Sequence, residues 1–361
     1  MKFIHLSDLH IGKRQREFSL LDDQKYILLK ILGVIDDEKP DAVLIAGDVY
    51  DKGIPSEKAV SLFDDFLTRL AKKKIPVFVI SGNHDSVERM SFGSKLMEES
   101  RVYISKAPQE HITPYELKDE WGSVFVYLLP YINPSDKSFT EAVRTAVQNM
   151  NVDVSKRNIL VSHQLALGAE RSESEDLFIG GSENVDLDVF DPVEYFALGH
   201  IHQPQKCGRE TVRYCGTPLK YSFSEVNHKK SVTVVELKEK GNIDIRTVPL
   251  EPMRDLRVIK GSFKEITSKA FYEKQKCDDF IKIILTDETD IEDGFARLQT
   301  IYENLVFLDY DNTRTRSSSK IEDLEKIQVT DPLELFKEFY EIQNSMSMTD
   351  EQTDYVKELI K

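Results

Sequence analysis

PVFVISGNHD (residues 76–85) runs from an apolar segment straight into an amide, an imidazole and a carboxylate. Val77, Phe78, Val79 and Ile80 read as a buried strand that stops at Gly82. A strand ending in this way aims polar side chains beyond the sheet edge, where open α/β sheets bind ligands. The same design recurs outward along the chain. KFIHLSDLHIG (2–12) ends in Asp8 and His10, and DAVLIAGDVYD (41–51) ends in Gly47 and Asp48. NILVSHQ (158–164) ends in His163, and EYFALGHIHQPQ (194–205) ends in His200 and His202. Side chains at i and i+2 on an extended backbone share a face, so Asp8 with His10, and His200 with His202, could each serve one metal ion. A single histidine at a strand end is more often a satisfied polar residue. Here five of the eight histidines, His84 included, occupy that position beside carboxylates.

The 361 residues exceed one ordinary domain, and 40% hydrophobic with 31% charged residues describes a soluble, globular chain. Apolar runs are too short to span a membrane, and Asp8 comes too early for a signal peptide. Three widely spaced cysteines suggest neither a disulfide framework nor a zinc knuckle, so an intracellular, reducing location is expected. The net charge of −15 argues against coating nucleic acid through bulk charge, but leaves a local basic groove or a metal-dependent nuclease open. KRQR (13–16) is either a solvated loop or, beside a phosphate-cleaving site, a grip on a nucleic-acid backbone.

Helical apolar spacing at 18–40 and 57–71 places helices between the first three strands, which implies parallel pairing. RMSFGSKLMEE (89–99) and FTEAVRTAVQNM (139–150) read as helices, and YELKDEWGSVFVYLLPY (115–131) as an alternating strand. GAERSESEDLFIGGSENV (168–185) reads as a loop over the site. VRYCGTPLKYSFSE (212–225) and a hairpin over 231–250, turning at Lys240 and Gly241, read as a second, more antiparallel sheet. The pattern changes near Pro252. Strand, helix, strand, helix, strand over 255–311 is a small separate α/β domain, and TRTRSSSK (313–320) a linker. Capping signals at Asp331–Glu334 and Thr349–Gln352 start two tail helices. Leu333, Phe336, Phe339 and Tyr340 form one apolar stripe, and Tyr355, Val356 and Leu359 belong to the other. These stripes fold back or, the preferred reading, dock into a partner's groove.

Imidazoles mixed with carboxylates and an amide suit manganese or iron better than an all-thiolate zinc site. There are ligands for two ions, and Asp48 is the candidate to bridge them. Such a pair, ~3.5–4 Å apart, clamps a phosphoryl group and lowers the pKa of a bound water.

SDLH (7–10), GD (47–48), GNHD (82–85), SH (162–163) and GHIH (199–202) resemble, in order, the five motifs of the calcineurin-like metallophosphoesterase family. GTPLKYSFSE (216–225) and DPLELFKEFYEIQ in the tail are similar to segments of its SbcD-type nuclease branch. The resemblance covers essentially the whole chain. It implies an α/β fold: a two-sheet sandwich flanked by helices over 1–252, a DNA-binding capping domain over 253–325, and a helix-loop-helix tail over 326–361 that grips an SbcC-type SMC-like ATPase. It implies Asp8, His10, Asp48 and His202 around one divalent ion, and Asp48, Asn83, His163 and His200 around the other, with Mn²⁺ foremost and Mg²⁺ or Fe²⁺ as alternatives. His84 matches the catalytic histidine, with Asp85 orienting it. Asp51 stands where archaeal and eukaryotic relatives carry a second histidine. The implied activity is 3′ to 5′ trimming of double-stranded DNA ends and hairpin cleavage, in the cytoplasm near the nucleoid. It would be carried out by a homodimer joined through 57–71 and 89–99, with DNA contacts near Lys13, Arg14, Arg16, Lys52 and Arg89. The rivals are a stand-alone phosphatase or cyclic-nucleotide phosphodiesterase with the same metals, and a tether without activity.

Overall fold

A computed structural model describes residues 1–107, 112–134, 137–172, 175, 183–313, 315, 333, 336, 337, 340 and 348–359. Two six-stranded sheets pack face to face. In the first, Lys2–Leu6, Ala42–Ala46, Val77–Ile80 and Val102–Ile104 run parallel. Ser231–Leu237 and Ile243–Pro249 extend it antiparallel beyond Lys2–Leu6. In the second sheet, Gly122–Leu129, Arg157–His163, Tyr195–Gly199 and Arg209–Tyr214 run parallel. Antiparallel edges, Tyr115–Asp119 and Gln205–Cys207, close its two sides.

Strand residues alternate between two cores because successive side chains point to opposite faces. Phe3, Leu44, Phe78, Val126, Val161 and Tyr195 fill the layer between the sheets. Ile4, Val43, Ile45 and Val79 pack outward under the helices Leu21–Glu38 and Glu57–Lys72. Helix Phe139–Asn149, started by a complete Ser138/Glu141 capping box, covers the outer face of the second sheet. These central strands are therefore buried on both faces, which is why they read as continuous apolar runs.

Leu256–Gly261, Phe280–Leu285 and Leu305–Tyr310 form a separate three-stranded parallel sheet with its own core. Leu256, Phe280 and Val306 also join the core under the first sheet. Arg254 on Asp23 and Phe223 against Phe307 add to that seam.

Four expectations change. The 231–250 hairpin joins the first sheet and Arg209–Tyr214 the second, because alternation does not say which edge a strand extends. Residues 216–225 are not a strand: Gly216 at φ 75° and Pro218 break extended pairing, leaving a short turn at Phe223–Glu225. Residues 115–131 are a hairpin turning before Gly122, and 89–99 is broken at Gly93 into short helices. In the tail, helix Asp350–Leu359 begins with the expected Thr349/Gln352 capping box, and Gln352 Nε2 donates to Tyr340 Oη at 3.0 Å. Phe339, the Leu359 side chain, the 316–320 part of the linker and most of the 168–185 loop lie outside the described residues.

Candidate metal centre

Both sheets end their parallel strands at one edge, and the loops beyond are knitted together. Asp8 N–H donates to Gly47 O (3.0 Å) and His10 N–H to Asp48 O (2.9 Å). Across the sandwich, His163 Nδ1 meets Ala46 O at 2.8 Å. The expected route for Asp8 and His10 was one face of an extended strand. The structure replaces it: the strand stops at Leu6, and Asp8 (φ 51°) and His10 (φ 42°) are left-handed. Asp48 (φ 47°) and His200 (φ 102°) are too. Non-glycine residues hold such angles only where their surroundings over-determine them, and such residues cluster at functional sites. Gly82 shows how tight the surroundings are, since a Cβ there would lie 2.1 Å from Asp48 Oδ1.

Asp48 stands at the centre. Its Oδ2 lies 3.4 Å from His163 Nε2, 3.7 Å from His10 Nε2 and 3.9 Å from His84 Nε2. His10 Nε2 and His202 Nε2 are 3.2 Å apart. Asn83 Oδ1 is 2.9 Å from His163 Nε2 and 3.1 Å from His200 Nδ1. Three sets have donor atoms within 4.8 Å of one another: Asp8, His10 and His202; His10, Asp48 and His84; Asp8, Asp48 and His163. All seven residues expected to hold metal thus come to one place.

The donor set itself calls for cations. Ala46 O and the Glu225 carboxylate can only accept, so His163 and His202 carry protons on Nδ1 and turn Nε2 inward. Carboxylate, amide and imidazole acceptors then face one another, away from water. Such a set is repulsive unless protons or metal ions lie between its members. Without ions, charge is balanced by protons. Burial works against a charged His163, but Asp48 and Asp8 outweigh it and raise its pKa to about 9. Burial opposes the Asp48 carboxylate, yet the His163 charge holds it well below the usual range. Burial pushes Asp8 up and His10 well down. Divalent ions fit the mixture of hard oxygens and imidazoles.

His84 stands at the rim, with a side chain 22% exposed. Its backbone N–H donates to Asp48 Oδ1 (2.9 Å), and its ring Nδ1 lies 3.1 Å from Asp51 O. Asp85 was expected to orient that ring. Its carboxylate instead accepts the backbone N–H groups of Gly82, Val49 and Tyr50, at 3.0, 3.1 and 2.9 Å. It ties the two loops that carry Asp48 and His84. Asp51 takes an ion pair from Lys13 at 2.8 Å. Arg14, Lys52 and Arg89 are exposed. Arg16 lies over the Phe307 ring at 3.8 Å, which commits its guanidinium to the seam with the small sheet.

The five strand-end motifs did not point to the carboxylates behind the histidines. Glu225 lies 3.0 Å from His202 Nδ1, and Lys230 donates to Glu225 at 2.7 Å. Glu175 accepts His202 N–H (2.8 Å), and Glu183 lies 3.3 Å from His200 Nε2. Ser7 Oγ–H donates to Asp8. The one signal was Glu225 itself, the last residue of the quoted segment 216–225, where an acid following an aromatic-rich run reads as an ordinary turn.

The calcineurin-like phosphoesterase family model matches residues 1–204, more than half of the chain. The chain belongs to the calcineurin-like phosphoesterase family. This phosphoesterase also matches, over 252–344, the model described as type 5 capsule protein repressor C-terminal domain. The D subunit of the nuclease SbcCD from Staphylococcus epidermidis is 33% identical over 374 aligned residues, covering 100% of this chain and 98% of the relative. The protein of the same name from Staphylococcus saprophyticus is 32% identical with the same coverage. A solved structure, TT1561 of Thermus thermophilus, is 13% identical with a TM-score of 0.41, covering 68% of this chain and 98% of that one. As a phosphoesterase the chain is a metal-dependent hydrolase, and its Asp/His cluster supports divalent ions. Among the described residues no helix is long and apolar enough to cross a membrane.

Proposed function

We propose that this chain is the nuclease subunit of a DNA-end-processing complex, cutting double-stranded ends and hairpins with an SbcC-type SMC-like ATPase. The observation that carries the reading is the cluster of carboxylate and imidazole groups built by all five motifs, in a chain similar along its length to relatives named as the D subunit of the nuclease SbcCD. Asp8, His10, Asp48 and His202 hold one divalent ion, and Asp48, Asn83, His163 and His200 the other, with Mn²⁺ the preferred metal. A bound ion pair neutralises the phosphoryl oxygens and supplies an activated water. His84 presents Nε2 at the open rim and protonates the leaving 3′ oxygen, while Asp85 positions its loop. The sandwich over 1–252 carries the chemistry, 253–325 caps the DNA and 326–361 holds the ATPase. Lys13, Arg14, Lys52 and Arg89 line the approach. Two copies join through the segments around 57–71 and 89–99, where Phe92 (83% exposed) and Leu96 (75%) support the reading by presenting apolar surface.

The test is cleavage of a hairpin-ended duplex with Mn²⁺, with and without the purified ATPase partner. His84→Ser should keep metal binding and lose cleavage. Unchanged cleavage in that variant refutes the role of His84. Faster turnover of nucleotides than of DNA would favour a stand-alone phosphodiesterase.

A further inference from the structure

Behind the candidate metal centre lies a buried ion pair that the chemistry above does not use. Glu225 is 0% exposed and Lys230 6%. Glu225 Oε1 lies 3.0 Å from His202 Nδ1, while Oε2 accepts from Lys230 Nζ (2.7 Å) and Tyr221 N–H (3.3 Å). Lys230 Nζ also donates to His202 O (2.9 Å) and Thr217 Oγ1 (2.6 Å), and His228 Nδ1 lies at 3.4 Å. Lys230 therefore grips His202 at both ends, directly at its backbone carbonyl and through Glu225 at its ring. Gly216 lets the 216–225 segment pass close enough to do this, since a Cβ there would lie 2.6 Å from His202 O.

His200 is likewise backed by a carboxylate, Glu183, which lies 3.3 Å from its Nε2 and is paired with Arg171. Neither group touches Glu225 or Lys230, and the two remaining inward rings are backed differently. His163 Nδ1 donates to a neutral backbone carbonyl. His10 Nδ1 has no hydrogen-bond partner among the described residues. A buried ion pair is a poor source of stability, because desolvation offsets most of its attraction. Its geometric effect is definite. A carboxylate held ionised by an ammonium accepts from Nδ1–H, which keeps the proton there and the Nε2 lone pair inward.

We propose that Glu225 and Lys230 are positioning residues that lock His202 with Nδ1 protonated and Nε2 inward. They thereby set the affinity of one cation position, bounded by Asp8, His10 and His202, and not of the other, bounded by Asp48, Asn83 and His163. This rests on the reading of the site as a two-ion centre.

The experiment uses the full chain with Mn²⁺ as the probe. Glu225→Gln removes the charge and keeps an oxygen. The double variant Glu225→Gln/Lys230→Met leaves no unpaired buried ammonium, and carries the test if the single variant does not fold. Calorimetric titration should show one of two sites weakened ~10–100-fold and the other within about twofold of the parent. Electron paramagnetic resonance should show isolated Mn²⁺ at loadings where the parent gives a coupled pair. Two undisturbed sites overturn the proposal, and so do two sites weakened alike. A parent chain that binds no Mn²⁺ refutes the two-ion reading instead.

Discussion

Gly199→Ala tests whether the centre depends on direct contact between the two sheets. A Cβ at position 199 would lie 1.9 Å from Ala46 O and 2.7 Å from His163 Nδ1. The obstacle is backbone of a central strand of the first sheet, not the end of a flexible side chain. Ordinary contact begins at 3.4 Å, so Ala46 O and residue 199 must separate by about 1.5 Å. The same carbonyl accepts His163 Nδ1–H at 2.8 Å, and a displacement of that size breaks the bond. Two costs follow. Overpacking a rigid core costs ~1–3 kcal/mol. Orphaning a buried donor costs ~1–3 kcal/mol. The expected destabilisation is about 2–6 kcal/mol, read as a lower urea midpoint at unchanged m-value. Freed of its anchor, the His163 ring rotates, and a misplacement of ~1 Å costs ~10²-fold in turnover. Mn²⁺ titration and cleavage are measured on the same preparation. A variant within ~0.5 kcal/mol of the parent, with unchanged Mn²⁺ affinity, would refute the reasoning: the sheets would then not meet at Gly199 and His163 would not be held from Ala46.

Asp119 is held well below the usual carboxylate range, first by hydrogen bonds from Arg157 and then by the N-terminal ammonium. A depressed native pKa stabilises above the unfolded value of ~3.9 and is lost as pH falls toward the native value, so Asp119→Asn should be less stable at about pH 7, and its gap to the parent should be smaller, though still open, at about pH 3. A gap of equal size at both pH values, measured by urea unfolding, contradicts this. Ser138→Ala removes the capping box of Phe139–Asn149 and should cost ~1 kcal/mol, seen as faster amide exchange in that helix with metal binding unaffected. Arg16→Ala removes the guanidinium over Phe307 and should loosen strand Leu305–Tyr310 by ~0.5–1 kcal/mol in amide exchange. If Arg16 serves DNA instead, the variant weakens DNA binding and leaves exchange unchanged.

The strand ends were readable because a parallel strand buried on both faces leaves an unbroken apolar run, and the first polar residues after it must lie at the sheet edge. That logic locates Asp8, Asp48, Asn83, His163 and His200 without coordinates. It does not locate Glu225 or Lys230. They lie outside the five strand-end motifs, although Glu225 ends the quoted segment 216–225, and their charges read as solvent-facing until the fold closes over them. Nor does alternation say which edge a hairpin extends, so Ser231–Leu237 was assigned to the wrong sheet: the antiparallel pairing with Lys2–Leu6 joins residues more than two hundred positions apart.

Asp8 and His10 show why a correct outcome can follow from an incorrect local route. On an extended strand their i, i+2 spacing would put both side chains on the face of Ile4 and Leu6, which packs under the helices and away from the second sheet. The left-handed angles at Asp8, His10 and Asp48 turn each loop off its strand axis toward the opposite sheet. That lets Asp8 Oδ1 accept His200 N–H at 2.9 Å, and His10 Nε2 meet His202 Nε2 at 3.2 Å, across the sandwich. Each bond joins a motif on one sheet to a motif on the other. The strained residues are therefore the same residues that convert two separate rows of strand ends into one pocket. Relaxing Asp8 and His10 to ordinary angles would return both side chains to that outer face.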